Sequence, residues 1–400
     1  MLGIRPEIRT MLPILLVVLQ LNLFNCSTIF PVIAPFSDLP EPTGPYSIAT
    51  RSATWTDSSR DETFTAEMDN RKLVVQVWFP VSERNDADYL PYIDDPELRL
   101  PAIAKQLRLP RSLIDHFGEV QTHAFETADG SDIQDAFPIV IFSHGLSGMR
   151  FQNSSIIEEL VSHGYVVFAA DHSYGANITI FDDGEPAEYR AGKRRALNAN
   201  FINTIDLTQI EILANDLSFI INQILEQPAD QLLAGIPMNP ERIGIMGHSL
   251  GGAAALTTLA TDPRVDAAMI LDGWYAPVPD SIIASGLTKP LYHLGQKEWA
   301  DKGNYERMDE MLMNSSGAVY KMLIPGTLHT DFTDMPLFTP FSLFIGYTRV
   351  QDPLWLNQIM RDNTRTFFDV YLKDIHPGRL AEIIQYEEDV TSYLFVPPIP

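Results

Sequence analysis

The chain has 400 residues, of which 45% are hydrophobic and 20% are charged, and this composition excludes an intrinsically disordered protein. The formal net charge is −24, and a surface this acidic repels phosphate groups, which excludes nucleic acid as a partner. Cys26 is the only cysteine, so an intramolecular disulfide and a cysteine-ligated zinc site are excluded as well.

The amino terminus has the pattern of a targeting segment. Arg5 and Arg9 precede an apolar run over residues 11–24, and this order of basic and apolar residues is typical of a secretory signal. The run is short for a transmembrane helix, which needs about 20 residues. Residues 1–27 are therefore predicted to be a signal peptide or an uncleaved membrane anchor, with lipidation of Cys26 as a further alternative. The protein is expected to be secreted or periplasmic.

Beyond this segment, predicted strands and helices alternate along the chain. Strands are predicted where β-branched and aromatic residues run together, and helices where apolar residues recur every three to four positions. Several of the strands are continuously apolar, as in parallel sheets that are buried on both faces. The predicted strands are 72–79, 137–143, 165–170, 242–247, 267–271, 290–295 and 319–324, and the predicted helices are 96–117, 153–163, 206–227, 249–260 and 353–372.

This alternation predicts the class of fold. Strands that alternate with helices build an α/β protein with a mostly parallel central sheet and helices on both faces. The sequence contains no internal repeat and no long linker between residues 47 and 372. Residues 28–400 are therefore predicted to form a single catalytic domain.

The motif Gly247-His248-Ser249-Leu250-Gly251 carries the strongest functional signal. A buried strand leads into it and a helix of small residues follows it, which is the layout of the nucleophile elbow in the α/β-hydrolase fold. Such a turn exposes the serine hydroxyl at the start of a helix, where the helix dipole favours developing negative charge. The alternative is a glycine-rich helix start with Ser249 as its cap. We predict Ser249 as a catalytic nucleophile.

A serine nucleophile needs a base to accept its proton. In this fold the acid and then the histidine follow the serine in the sequence, which leaves His293, His329 and His376. His293 lies inside a predicted strand, and His376 follows the last predicted helix. His329 comes directly after the last predicted strand, in a loop that can reach Ser249, and is predicted to be the base.

The position of the acid is less defined by the sequence. Asp272 directly follows the predicted strand 267–271. Many hydrolases of this fold carry the acid one strand later, where Glu298 and Asp301 lie in this chain. Asp272 also precedes a glycine, and Asp-Gly is common in turns. Position alone leaves these alternatives open.

Acyl transfer also requires donors for the oxyanion. One predicted donor is the backbone N–H of Leu250, directly after the nucleophile, and the other is the backbone N–H of Leu146, in the loop after strand 137–143. His144 and His248 are predicted to have structural roles. This chemistry requires no metal and no cofactor.

Three side chains beside these segments are candidates for the substrate pocket. Met149, Trp274 and Tyr275 lie next to the predicted catalytic segments in the sequence. Ordinary core packing is the alternative for each of them. They are predicted, with this alternative open, to line an acyl pocket.

Several segments together resemble one family of hydrolases. The carrying motifs are Phe142 to Arg150, Ser162 to Val167, Gly247 to Gly252, Leu271 to Trp274 and Gly326 to Asp334, with a Gly-Pro-Tyr-Ser segment at residues 44–47. These motifs are similar to those of the platelet-activating factor acetylhydrolases, the secreted and intracellular type II enzymes, and they span residues 44–372.

The resemblance implies both the acid and the substrate class. In that family the aspartate of the Leu-Asp-x-Trp segment is the acid, which selects Asp272 over Glu298 and Asp301. The family hydrolyses short or oxidised acyl esters at the sn-2 position of phospholipids without calcium. Leu250 departs from the bulkier aromatic residue of the animal enzymes. Other small esters, lactones, polyesters and thioesters are alternative substrates, and a non-catalytic binding protein is the alternative from another class.

Two apolar stretches are candidates for contact with a lipid surface. Residues 109–117 and 336–347 carry more large apolar side chains than a solvent-exposed loop does. Their counterparts in the family that the chain resembles lie near the lipid interface. The alternative is that both stretches pack against the sheet. Residues 181–195 are charged and are predicted to form a loop.

Overall fold

The computed structural model describes most of the chain after the amino-terminal segment. The described residues are 31, 35–84, 87–127, 129–191, 209–227, 230–375, 378, 380 and 391–395. The predicted targeting segment, residues 1–27, lies outside them. Among the described helices, none combines the length and the apolar character needed to cross a membrane.

Strands and helices alternate as the sequence predicts. The strands are β1 (Ser47–Asp61), β2 (Asn70–Val81), β3 (Ala124–Glu126), β4 (Phe137–Ser143), β5 (Val166–His172), β6 (Ile178–Ile180), β7 (Pro186–Glu188), β8 (Met238–His248), β9 (Ala267–Leu271), β10 (Leu291–Gln296), β11 (Val319–Ile324) and β12 (Thr391–Phe395). The helices are α1 (Pro96–Leu107), α2 (Ser154–Ser162), α3 (Gln209–Glu226), α4 (Leu250–Thr261), α5 (Asp280–Ser285), α6 (Gly303–Asn314), α7 (Met335–Phe338), α8 (Phe341–Phe344) and α9 (Pro353–Leu372).

One large sheet organises the molecule. In the described residues this sheet has ten strands, in the order β12-β11-β10-β9-β8-β4-β5-β2-β1-β3. All neighbouring pairs from β11 to β5 are parallel, whereas β12 and β2 pair antiparallel at the two ends of this parallel block. The predicted α/β fold with a mostly parallel sheet is therefore confirmed. The carboxyl ends of the parallel strands lie at one edge of the sheet, which is where such folds place their sites.

Each face of the sheet has its own hydrophobic core. Along β4, Ile139 and Ile141 point into one cluster, and Val140 and Phe142 point into the other, because successive side chains of a strand face opposite ways. The first cluster contains apolar residues of α3, α4, α5 and α6, and the second contains those of α1, α2 and α9. The two clusters fix the sheet between its helix layers.

The prediction of one helix over residues 96–117 is wrong in its second half. Helix α1 ends at Leu107, because Arg108 adopts a left-handed conformation with φ 57° and Pro110 follows. Short 3-10 turns at Arg111–Leu113 and Asp115–Glu119 complete the segment. Within the predicted loop 181–195, β7 pairs with β6 in a small hairpin, and residues 192–195 lie outside the described residues.

The two apolar stretches pack on each other. The rings of Phe117 and Phe338 lie 4.8 Å apart, and both side chains are buried. The apolar residues of 109–117 therefore belong to the second core cluster. The stretch 336–347 is divided, because Phe344 and Ile345 are 61% and 42% exposed.

Candidate active site

A sharp turn between β8 and α4 presents Ser249. The residue adopts φ 57° and ψ −120° at the amino end of α4, which is a strained conformation for a residue other than glycine. A Cβ atom on Gly247 would lie 2.2 Å from the carbonyl oxygen of Gly251, and one on Gly251 would lie 2.2 Å from that of Ser143. Larger residues are excluded at both positions, so the motif has glycine where the turn is tightest.

Three predicted side chains meet at this turn. His329 Nε2 lies 2.8 Å from Ser249 Oγ, and His329 Nδ1 lies 2.6 Å from Asp272 Oδ2. Asp272 is fully buried, Ser249 is 8% exposed, and the His329 side chain is 35% exposed. Of the alternative acids, Glu298 is exposed, and Asp301 accepts a hydrogen bond from the Gly303 N–H beside α6.

The Asp272 carboxylate is surrounded by neutral donors besides the imidazole. Asp272 Oδ1 accepts from the Gln296 N–H at 2.9 Å and from Trp299 Nε1 at 2.9 Å, and Asp272 Oδ2 accepts from Gln296 Nε2 at 2.7 Å. Burial opposes ionisation of Asp272, but the contact with His329 and these hydrogen bonds outweigh it and lower the pKa of Asp272. The carboxylate is held ionised next to the imidazole.

Gln296 and Trp299 are absent from the sequence predictions. Gln296 ends β10 and Trp299 follows it, in the stretch that also contains the alternative acids Glu298 and Asp301. The ring of Trp299 also packs at 5.0 Å from that of His329, edge to face. A tryptophan three residues after a strand end carries no functional signal of its own, so sequence reasoning had no means to select it.

The loop that carries His329 is held from two sides. Asp331 accepts backbone N–H groups of Leu328 at 2.7 Å and of Val350 at 3.1 Å, and burial raises its pKa. His248 stacks on His329 at 4.6 Å, and its Nε2 lies 3.2 Å from the carbonyl oxygen of His329. Burial lowers the pKa of His248 to about 3, so its ring is neutral. His248 therefore has the structural role that its position predicts.

Two backbone N–H groups lie close to Ser249. Leu250 opens α4, where the first amides of a helix have no intrahelical acceptor. Leu146 follows Gly145, and a Cβ on Gly145 would lie 3.2 Å from the Cβ of Ser249. Within the described part of the chain, we find no acceptor for the N–H groups of Leu146 and Leu250. Both predicted donors are thus unoccupied beside the serine.

The three candidate pocket residues have different surroundings. Met149 is half-buried against the second core cluster. Trp274 is 5% exposed, and its backbone N–H donates to the carbonyl oxygen of Ser249 at 3.0 Å. Tyr275 is 1% exposed, and its hydroxyl contacts His293 Nδ1 at 3.0 Å. Tyr275 is buried and its hydroxyl contacts the buried ring of His293. These surroundings favour the core-packing alternative for Tyr275.

The arrangement has the parts of a nucleophilic centre. Serine, imidazole and carboxylate form one line of hydrogen bonds, through which the serine proton can pass to the imidazole. In the described residues we find no group of three or more His, Cys, Asp or Glu side chains placed to hold a metal ion.

Comparison with known proteins identifies relatives of the chain. Residues 33–348 match the family described as "Platelet-activating factor acetylhydrolase, isoform II". The bovine platelet-activating factor acetylhydrolase is 28% identical over 235 residues, which cover 53% of this chain and 51% of that protein. A protein of Arthroderma benhamiae named "Probable 1-alkyl-2-acetylglycerophosphocholine esterase" is 25% identical over 317 residues, covering 74% of this chain and 76% of that protein.

A solved structure shows a similar fold. The ferulic acid esterase from Streptomyces cinnamoneus superposes with a TM-score of 0.72 at 24% identity, covering 89% of this chain and 99% of that one. The chain spans about half the length of the bovine relative. Since the family match extends over most of the sequence and includes Ser249, Asp272 and His329, the chain belongs to the platelet-activating factor acetylhydrolase isoform II family.

Proposed function

We propose that this protein is a serine hydrolase of carboxylic esters, with Ser249 as nucleophile, His329 as general base and Asp272 as the acid that orients it. The observation that carries the proposal is the unbroken line of hydrogen bonds from Asp272 through His329 to the strained Ser249. The family membership and the esterase names of the relatives support the reaction class.

The reaction would follow the serine acyl-transfer route. His329 takes the Ser249 proton while Ser249 Oγ attacks the ester carbonyl, and the N–H groups of Leu146 and Leu250 bind the oxyanion. His329 then gives the proton to the leaving alcohol, which leaves an acyl-enzyme. Water, deprotonated by His329, attacks that ester, and the acid product departs as Ser249 Oγ takes the proton back from His329. Asp272 stabilises the imidazolium in both steps.

The proposed substrates are short or oxidised acyl esters, with the sn-2 ester of a phospholipid as the first candidate. The relatives' names include platelet-activating factor acetylhydrolase and 1-alkyl-2-acetylglycerophosphocholine esterase. The exposed side chains of Phe344 and Ile345 lie on the apolar stretch for which we propose contact with a lipid surface. Small non-lipid esters are the second candidate, because the matched fold neighbour is named an esterase of ferulic acid.

We also propose that residues 1–27 direct export and that residues 28–400 form one catalytic domain. The basic and apolar order of the segment supports the first statement, and the single ten-stranded sheet supports the second. Mass spectrometry of the protein recovered after export tests the first: an intact amino terminus and no cysteine lipid would indicate an uncleaved anchor instead of a cleaved signal.

A fluorophosphonate probe tests the reaction class, since it reacts with activated serines. We expect the wild type to be labelled and to hydrolyse p-nitrophenyl acetate, and Ser249→Ala to do neither. The matched control is Ser162→Ala, a buried serine at the end of α2, which is expected to retain both. A wild type that is neither labelled nor active would refute the proposal and favour a binding protein.

A substrate series then separates the candidate esters. Vesicles or micelles of 1-alkyl-2-acetylglycerophosphocholine, an oxidised phospholipid and a long-chain phospholipid are compared with ethyl ferulate and a lactone. Preference for the acetyl and oxidised phospholipids over the others is expected. Higher kcat/KM on ferulate or lactone would redirect the substrate assignment while leaving the serine mechanism intact.

A further inference from the structure

A second serine–histidine–aspartate arrangement lies inside the molecule, and we call Ser143, His172 and Asp216 the buried array. Ser143 Oγ lies 2.9 Å from His172 Nε2, and His172 Nδ1 lies 2.9 Å from Asp216 Oδ2. Ser143 ends β4, His172 ends β5, and Asp216 lies on α3. All three residues have no exposed surface.

The buried array is not built to react with a substrate. Arg71 donates to both oxygens of Asp216, at 3.1 Å and 2.7 Å, and Arg60 donates to one of them at 2.9 Å. These guanidinium groups compensate the carboxylate, and full burial denies access to Ser143. In the neutral ring, Nδ1 carries the hydrogen that Asp216 accepts, and His172 Nε2 then accepts the hydroxyl hydrogen of Ser143. These hydrogen bonds therefore fix the positions of the three side chains relative to one another.

The array leads directly to the oxyanion loop. The backbone N–H of His172 donates to His144 Nε2 at 3.1 Å. Since Nε2 of His144 is an acceptor there, the ring carries its hydrogen on Nδ1, which donates to the Gly145 carbonyl oxygen at 2.7 Å. The Gly148 N–H donates to the same oxygen at 2.8 Å. Two donors thus fix the direction of that carbonyl.

The carbonyl of Gly145 and the N–H of Leu146 belong to one peptide unit. A trans peptide is planar, with its C=O and N–H pointing in opposite directions. A hydrogen bond that fixes the Gly145 oxygen therefore also fixes the direction of the Leu146 N–H. Resting on the proposed function, we propose that His144, anchored by the buried array, is a positioning residue that aims the Leu146 N–H at the oxyanion.

Two further observations agree with this role. Burial lowers the pKa of His144 to about 4, so the ring stays neutral near pH 7 and can accept on Nε2 while it donates from Nδ1. A small cavity borders the loop and is lined by His144, Gly145, Leu146, His172 and Leu250 among others, so His144 lies at the same cavity as the two proposed oxyanion donors.

The test compares His144→Leu, which removes both ring hydrogen bonds, with His144→Asn, which retains a side-chain N–H donor near the Nδ1 position. Removing an oxyanion donor outright costs about 10²–10³ in kcat, and we expect the misaimed donor in His144→Leu to cost about 10- to 100-fold. KM for p-nitrophenyl acetate should change little. Affinity for a trifluoromethyl ketone, which forms an oxyanion with the serine, should fall by the same factor as kcat. His144→Asn should recover most of both losses.

The matched control is His163→Leu, a histidine just before β5 at the opposite edge of the sheet, bound to Thr43 and Arg365. It is expected to leave kcat and inhibitor affinity unchanged. Unchanged kcat in folded His144→Leu, or a kcat loss without a matching loss of inhibitor affinity, would overturn the positioning role while the proposed esterase stands. An inactive, unlabelled wild type would overturn both.

A measurement on the wild type covers the case in which His144→Leu fails to fold. The proposed role requires that His144 carry its hydrogen on Nδ1, and ¹⁵N imidazole NMR distinguishes this tautomer. The signal of His144 is the one that is missing from the spectrum of His144→Asn. An Nε2–H tautomer or a protonated ring at pH 7 would overturn the proposal.

Discussion

Two serine–histidine–aspartate arrangements in one chain have nearly the same internal geometry and opposite surroundings. In the line from Ser249 to Asp272 the two contacts of the histidine measure 2.8 and 2.6 Å, and in the buried array both measure 2.9 Å. The first opens to solvent through His329, whereas the second is fully enclosed.

The charge of the carboxylate is the second difference. Asp216 accepts from the guanidinium groups of Arg71 and Arg60, which also pair with Glu62 and Asp57, so cationic side chains other than the histidine share in compensating its charge. Asp272 accepts from Gln296 and Trp299, which are neutral, and its charge remains to stabilise an imidazolium. Hydrogen-bond distances alone therefore do not make a nucleophilic serine. Access, a strained turn and an uncompensated carboxylate distinguish the two.

The largest expected difference between the arrangements is in the histidines. Loss of the base in a serine hydrolase costs on the order of 10⁶ in kcat, and His329→Ala is expected to approach this loss. His172→Ala should lower kcat far less, about 10-fold, because it acts only through the oxyanion loop. Rates of p-nitrophenyl acetate hydrolysis check this, with circular dichroism as the folding control. Equal losses in both variants would mean that the buried array takes part in the chemistry.

The acid gives the next largest effect. Replacing the carboxylate of a triad by an amide while keeping the geometry costs about 10⁴ in kcat, and we expect this for Asp272→Asn. Asp301→Asn is the matched control, since Asp301 caps a backbone N–H next to α6 and should tolerate the change. A large loss of kcat in Asp301→Asn with activity retained in Asp272→Asn would reverse the assignment of the acid.

The same kind of substitution in the buried array should affect stability. Breaking a buried ion pair by removing one partner costs about 3–5 kcal/mol. Asp216→Ala removes one of the two carboxylates that pair with Arg71 and leaves Glu62 as the other, so we expect a loss at the lower end of this range. Urea denaturation at pH 7 measures the change. Asp309→Ala, which removes a half-exposed partner of Lys321, is the control and should change the free energy of unfolding by less than about 1 kcal/mol. Equal small effects would show that Asp216 is not a stability element.

The sequence predicts those parts of the two arrangements whose residues are neighbours in the chain, and it does not predict those that only the fold brings together. The proposed nucleophile Ser249 and the proposed oxyanion donor Leu250 are local, since one motif between a strand and a helix defines them. The choice of Asp272 over Asp301 depends on the sheet, where Leu271 pairs with His248 and so places Asp272 beside the turn. The position of Asp272 in the sequence does not show which strands pair. Only the family resemblance selected Asp272 as the acid.

The buried array could not be predicted, because its members come from three distant elements. Ser143 and His172 end neighbouring parallel strands, and Asp216 comes from a helix that packs over them. Ser143 lies within one of the motifs that carry the family resemblance, but nothing in the sequence pairs it with His172 or Asp216. Strand β1 was missed for a related reason: its sequence is rich in Ser, Thr and Arg, and pairing with β2, not apolar periodicity, makes it a strand.

A smaller effect is expected from the neutral donors of Asp272. Trp299→Phe removes one hydrogen bond to Asp272 Oδ1 while keeping an aromatic ring near His329. A hydrogen bond to a charged group contributes about 1.5–3 kcal/mol, and partial expression of this in the transition state predicts a loss of about 10-fold in kcat. The control is Trp355→Phe, because Trp355 is a half-buried tryptophan on α9. An unchanged kcat in Trp299→Phe would show that Gln296 alone suffices to orient the carboxylate.

The smallest expected effect is the pH dependence of stability. Burial raises the pKa of Asp216, but Arg71 and His172 outweigh it and hold that pKa well below its ordinary value. A carboxyl with a depressed folded-state pKa stabilises above the unfolded pKa of about 3.9 and loses that contribution as the pH falls. The stability difference between wild type and Asp216→Asn should therefore shrink below about pH 4, by at most about 1.4 kcal/mol per pH unit.

Asp334 provides the control of opposite sign. Burial raises its pKa to about 7, although Ser155 donates to it. The folded state then binds more protons than the unfolded state between about pH 4 and 7, so this group's contribution is lost as the pH rises. Against Asp334→Asn, the wild type should lose relative stability over that range, by at most about 1.4 kcal/mol per pH unit. Urea denaturation of both variants from pH 3 to 8 measures the two slopes. Slopes of the same sign would mean that burial, and not the arginine neighbours, controls both carboxyls, and the charge argument that separates the two arrangements would then fail.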